Sequence, residues 1–295
     1  MIRSIARTLV EGVATRSGLA ALSRRQAAGS VAILAFHNVV PPEDAGQGDT
    51  SLHLPLPRFI QQIERVARTH EIVDLETALS GPGHRPRAVL TFDDAYRGAV
   101  TLALPELRKR GLPATVFVAP ALLGQSTTWW DDLGAAGLMN DARRDDALTT
   151  LQGRAERVRD ELGIMPASLP HSYGIATVDE LRAHTRDGVT LGSHSWAHEH
   201  LPSLTAGELR ESLVNTRDWL RSSGMPFVDC LALPYGAGSQ QVASVADDIG
   251  HSAVLLVRGG LLRHPFDAAT VPRINVPAGL TREGLELRTS GIFTR

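Results

Sequence analysis

The chain has 295 residues, with 30 basic side chains against 32 acidic ones and a formal net charge of −2. That balance excludes a strongly basic nucleic-acid binder and an acidic disordered tail, and the single cysteine, Cys230, excludes an intrachain disulfide. Hydrophobic residues at 43% suffice for a full-sized core, and no apolar run is long enough to span a bilayer.

Residues 1–30 carry Ile2, Ile5, Leu9, Val13, Leu19 and Leu22 at helical spacing. Arg3, Arg7, Glu11 and Arg16 interrupt the apolar run, so the segment reads as an amphipathic helix rather than a secretory signal. It packs on the domain as a surface helix or lies on a membrane surface, a peripheral contact through residues 1–28. The unpaired cysteine and the lack of a signal pattern predict a cytoplasmic location, with attachment to the membrane surface left open.

From residue 31 the pattern alternates. Short apolar runs read as buried strands at 31–37, 71–75, 88–92, 114–119, 189–193, 230–235 and 252–257. Helical patterns fill the gaps at 56–69, 99–111, 177–188, 205–224 and 239–250. Thr177 with Glu180 and Thr205 with Glu208 form capping-box signatures, and Gly111, Gly188, Gly224 and Gly250 follow last turns. Strand and helix in alternation mean a parallel sheet with crossover helices, and seven such units favour closure into a barrel. Residues 31–295 thus read as one α/β domain.

An insertion at about 123–175 breaks the rhythm. Its charged run, 141–161, reads as a solvated helix, and its Trp129–Trp130 pair either stacks on a sugar ring or pins the insertion to the barrel.

Reactive groups in such barrels sit at the carboxyl ends of strands. Reading those positions selects His37, Asp93, Asp94, His194, His198 and Pro234–Tyr235–Gly236. Four Asp-Asp pairs occur in the chain, so position, not the dipeptide, marks Asp93–Asp94. Two imidazoles and a carboxylate can form a three-ligand set that leaves metal positions open for water and substrate.

Thr91-Phe92-Asp93-Asp94, the run from Gly192 through His194 to His198, and Leu233-Pro234-Tyr235-Gly236 resemble three ordered motifs of one family. It is the polysaccharide deacetylase (NodB-homology) family, carbohydrate esterase family 4, and the resemblance covers roughly residues 31–277. The resemblance implies a distorted (β/α)7 barrel, one divalent metal ion, usually zinc, and removal of acetyl groups from a saccharide. Carried over by position, it makes Asp94, His194 and His198 the metal ligands and Asp93 the general base. Tyr235 would lend its backbone N–H to the oxyanion; Pro234 beside it, and Trp129 and Trp130 if they stack rather than pin, are the candidate substrate contacts.

The chain departs from the family pattern at Ala232, where the third motif usually has Arg, and no late apolar strand ends in His. The circularly permuted poly-N-acetylglucosamine deacetylases resemble this chain more, because VAILAFHNV places such a strand first. That makes His37 the expected general acid, against a hydrogen-bonded core histidine. Arg273 in VPRINV is a candidate substitute partner for Asp93, against a structural arginine. The expected activity is metal-dependent removal of acetyl groups, N-acetyl above O-acetyl, from a polysaccharide or oligosaccharide; alternatives on the same fold are a metal-dependent hydrolase of cyclic amides and an inactive carbohydrate-binding barrel.

Overall fold

The computed structural model describes residues 19–27 and 29–292. Ten strands occur among them: β1 (Val31–Phe36), β2 (Asn38–Val40), β3 (His53–Pro55), β4 (Glu71–Ile72) and β5 (Arg87–Phe92), then β6 (Ala114–Val118), β7 (Val189–Ser193), β8 (Phe227–Ala232), β9 (Ala253–Gly259) and β10 (Val271–Asn275). Seven form a ring in the order β1–β10–β9–β8–β7–β6–β5, closed by β5 on β1. Every pairing in it is parallel, as the crossover helices require. Register shifts between Leu191 and Ser193 and between Val271 and Arg273 distort the ring.

Two strand expectations need correction. The 71–75 run yields only β4, which pairs with β5 outside the ring. Asp74 stops it, because its carboxylate caps the helix Leu75–Ser80 by accepting from Thr77 N–H. The seventh barrel strand is instead β10, formed by VPRINV. The run at 230–235 starts earlier, at Phe227, and ends at Ala232 before a tight turn.

All six β1 side chains are buried, but they face two different neighbourhoods. Val31 and Ile33 pack with Val89, Phe117, Val228, Leu255 and Val271 inside the ring. Ala32, Leu34 and Phe36 pack outward against helix residues such as Phe59 and Ile63. Burial on both faces explains why the strand is apolar without alternation.

Both capping boxes form, at Thr177–Glu180 and Thr205–Glu208. Gly111, Gly188, Gly224 and Gly250 all adopt positive φ, where a side chain would strain the turn. The pattern at 99–111 splits into a π-helical turn, Ala99–Ala103, and the α-helix Leu104–Lys109. Pro105 lacks the N–H an unbroken α-helix would need there.

The helix Leu19–Gln26 packs on the C-terminal helix Arg282–Thr289, where Arg24 and Arg65 both pair with the buried Glu286. The expected membrane contact through residues 1–28 falls mainly on residues outside those described. No helix among the described residues is long and apolar enough to cross a membrane. The insertion forms three short helices, Trp129–Ala135, Asp141–Thr149 and Ala155–Leu162. Its charged run is therefore two helices, broken where Gln152 and Gly153 take positive φ.

Candidate active site

Strand ends assemble the site. Phe36 and Phe92 are paired in β1 and β5, so His37 and Asp93 leave the barrel side by side at one rim. Asp93 N–H donates to Phe36 O at 2.9 Å, and the chain then reverses through positive φ at Asp94 and Ala95. That reversal is what aims two consecutive carboxylates at one cavity, since in a continuing strand they would diverge. His194 leaves β7 beside β6, its N–H donating to Val118 O, and Ser195 and His198 again take positive φ. Such backbone costs on the order of 1 kcal/mol per residue and persists only where surroundings enforce it. Glu199 enforces it here, accepting from Ser195 Oγ, Ala197 N and Ser212 Oγ at 2.7, 3.0 and 3.2 Å.

Asp94, His194 and His198 offer one ligand atom each within 4.8 Å of one another, all buried. Asp94 Oδ1 lies 2.9 Å from His198 Nε2 and 3.4 Å from His194 Nε2. His194 Nδ1 donates to Ala232 O at 2.8 Å; a carbonyl only accepts, so the other nitrogen, Nε2, presents its lone pair in the neutral ring. Asp94 Oδ1 is buried without a well-formed hydrogen bond. Two imidazole nitrogens and an oxygen left so, converging on one point, fit a divalent cation of zinc type.

Asp93 is held otherwise. Arg273 Nη1 and Nη2 donate to its two oxygens at 2.7 and 2.8 Å, and both side chains are buried. Arg273 also donates to Leu256 O and Thr91 Oγ1 and lies over the Phe117 ring. Burial opposes charge on Asp93, but Arg273, then His194, outweigh it and hold the carboxyl below its usual range. Burial likewise opposes charge on Asp94, yet His198 and His194 bring its pKa well down. On His194 the Asp93 and Asp94 charges overcome burial and raise the pKa, whereas burial prevails on His198 and lowers it.

The cavity, open to solvent at its mouth, is about 150 Å³, and His37, Asp93, Asp94, His194, His198 and Tyr235 all line it. Tyr235 sits at positive φ in the turn after β8. Pro234, expected to contact substrate, is buried in that turn and is not among the residues lining the cavity, while its neighbours Leu233 and Tyr235 are. The indoles of Trp129 and Trp130 form part of the wall, but at 1% and 6% exposure neither leaves an open face for a sugar ring. Trp129 Nε1 donates to Tyr235 Oη and Trp130 Nε1 to Tyr96 Oη, so the pair pins the insertion to the barrel. Arg144 and Asn275 also line the cavity and had no distinguishing sequence signal.

The sequence profile described as polysaccharide deacetylase matches residues 80–254, more than half of the chain. The chain belongs to the polysaccharide deacetylase family. This deacetylase-family chain is similar in structure to deacetylase PplD from Streptococcus pyogenes, solved with acetate, at 16% identity and TM-score 0.61, covering 88% of this chain and 98% of that one. IcaB from Ammonifex degensii is similar at 18% identity and TM-score 0.63, covering 89% and 97%. A polysaccharide deacetylase from Bacillus cereus is similar at 15% identity and TM-score 0.64, covering 88% and 69%. At such identities the likeness carries the fold alone. No curated protein matches this chain in sequence. His37 and Arg273 lie outside residues 80–254, so their assignment to the site rests on geometry.

Proposed function

We propose that this polysaccharide deacetylase removes acetyl groups, chiefly N-acetyl, from a polysaccharide or oligosaccharide, using one divalent ion, most naturally zinc. The observation that carries the reading is Asp93, kept ionised by a bidentate Arg273, beside the Asp94–His194–His198 set in one cavity. At about 150 Å³ the cavity is well under the roughly 300 Å³ of pockets enclosing a whole drug-sized ligand, and suits a short acyl group.

A divalent ion held by Asp94, His194 and His198 would polarise the acetyl carbonyl and acidify a water. Asp93 accepts the proton of the attacking water. The backbone N–H of Tyr235 donates to the carbonyl oxygen as charge develops, typically about 3–4 kcal/mol of stabilisation. His37, beside Asp93 on the same rim, returns a proton to the leaving nitrogen as the C–N bond breaks and acetate departs. An intact base–arginine pair weighs against an inert carbohydrate-binding barrel, and the family against a cyclic-amide substrate.

Elemental analysis of the purified protein, with acetate release measured on acetylated chitooligosaccharides and on a cyclic amide, tests this reading. Stoichiometric metal with acetate release supports it; turnover of the cyclic amide alone, or no turnover with metal bound, overturns it. His194→Ala and His198→Ala are expected to lose the metal. His200→Ala is expected to keep it, because its ring is engaged with Ser203 Oγ away from the cavity. Unchanged metal in the first two variants refutes the ligand set.

His37→Ala is expected to fold and bind metal while kcat falls by about 10²–10⁴. The deficit should shrink on an activated aryl ester, whose leaving group needs no proton. An equal deficit on both substrates would show that His37 is not the acid.

A further inference from the structure

The two histidines of the ligand set are supported in different ways. A metal-binding imidazole ordinarily donates its second N–H to a carbonyl or carboxylate, which fixes the ring plane and the tautomer. His194 does so through Ala232 O. His198 does not: its Nδ1 is buried with no hydrogen-bond partner. Aromatic rings surround it instead, with the Trp130 centroid 4.7 Å away at 43° and that of Tyr235 4.5 Å away at 81°.

Trp130 is itself locked. Its Nε1 donates to Tyr96 Oη at 2.6 Å, and Tyr96 Oη donates in turn to Asp131 Oδ2 at 2.8 Å. Asp131 is fully buried and accepts further from Asp49 N and Thr128 Oγ1. His53 Nε2 lies 2.7 Å from Asp131 Oδ1. The direction of that bond follows from its other side. Asn38 Oδ1 accepts from Val39 N, so Asn38 Nδ2 is the atom facing His53 Nδ1 at 3.0 Å. An amide NH2 only donates, so Nδ1 accepts and Nε2 carries the hydrogen toward Asp131. Strands β2 and β3, the turn after β5 and the insertion are thereby joined through one buried carboxylate to the indole on His198. A fully satisfied buried network of this kind is rigid.

We infer that Trp130, locked by Tyr96 and Asp131, is the positioning residue for His198, holding by packing the ring that a hydrogen-bonded carbonyl holds in His194. The inference rests on the metal reading proposed above. Tyr96→Phe removes the hydroxyl that links Trp130 to Asp131, and Trp130→Phe keeps an aromatic ring while removing its N–H. Each full-length variant is titrated with Zn²⁺ against a chromophoric chelator, and the Co²⁺-loaded protein is examined by visible absorption. Zinc affinity is expected to fall about 10–100-fold, with shifted Co²⁺ bands. His200→Ala, outside the network, should change neither. Affinity within twofold of the parent and unchanged bands in a folded variant overturn the inference, whatever the melting temperature does. Should Tyr96→Phe fail to fold, Trp130→Phe decides by the same readouts. A parent protein that binds no metal overturns the metal reading itself, an outcome distinct from parent-like variants.

Discussion

Asp93→Asn is expected to bind the metal stoichiometrically and to lose acetate release by a factor of about 10²–10⁴ in kcat. Asparagine preserves the shape of the side chain but cannot take a proton from water. Metal is expected to stay because Asp93 is not part of the convergent set; its two oxygens are engaged by Arg273. KM should change little, since the lost interaction belongs to the transition state. Metal analysis and single-substrate kinetics on the same preparation check both halves. Full activity would remove Asp93 from the role of base, and loss of metal would make it a ligand.

Arg273→Ala is expected to destabilise the protein by about 3–5 kcal/mol, because it leaves the buried Asp93 charge without its partner. Denaturant unfolding near pH 7 measures this. The sign of the accompanying pH effect follows from Asp93, whose folded-state pKa is depressed. Its stabilisation is present above the unfolded carboxyl pKa and is lost as pH falls through the lower folded value. Without Arg273, burial is less opposed and the Asp93 pKa rises. The acid limb of the kcat/KM profile should therefore move to higher pH. Arg273→Lys keeps a charge but not the two-pronged fit, and is expected to give a smaller shift with a milder loss of stability. A limb that stays put in both variants would show that Arg273 does not tune the base.

The three ordered motifs were legible in the sequence because each is local. Thr91 to Asp94, Gly192 to His198 and Leu233 to Gly236 each lie on one strand end and the turn beyond it. The capping boxes were equally plain, since a cap and its partner are three residues apart. For the tryptophan pair the sequence leaves stacking on a sugar and pinning the insertion open, and the structure shows the pinning bonds to Tyr235 and Tyr96. Burial depends on what packs above a side chain, and neighbouring letters do not record that.

By itself the sequence determined that this chain forms an α/β barrel and which acids and imidazoles stand at the ends of its strands. Strand periodicity, helix caps and positive-φ glycines act over a few residues, so they can be read along the chain. Closure of the ring is different in kind. It selected β10 over β4 as the seventh strand and brought Arg273 onto Asp93 across 180 positions of sequence. It also set His37 beside Asp93, and it placed Trp130 on His198 through Tyr96 and Asp131. Such pairings are chosen by parallel register and by the need to satisfy each buried charge and hydroxyl at once. That condition belongs to the folded ring as a whole, so only the tertiary structure decided them.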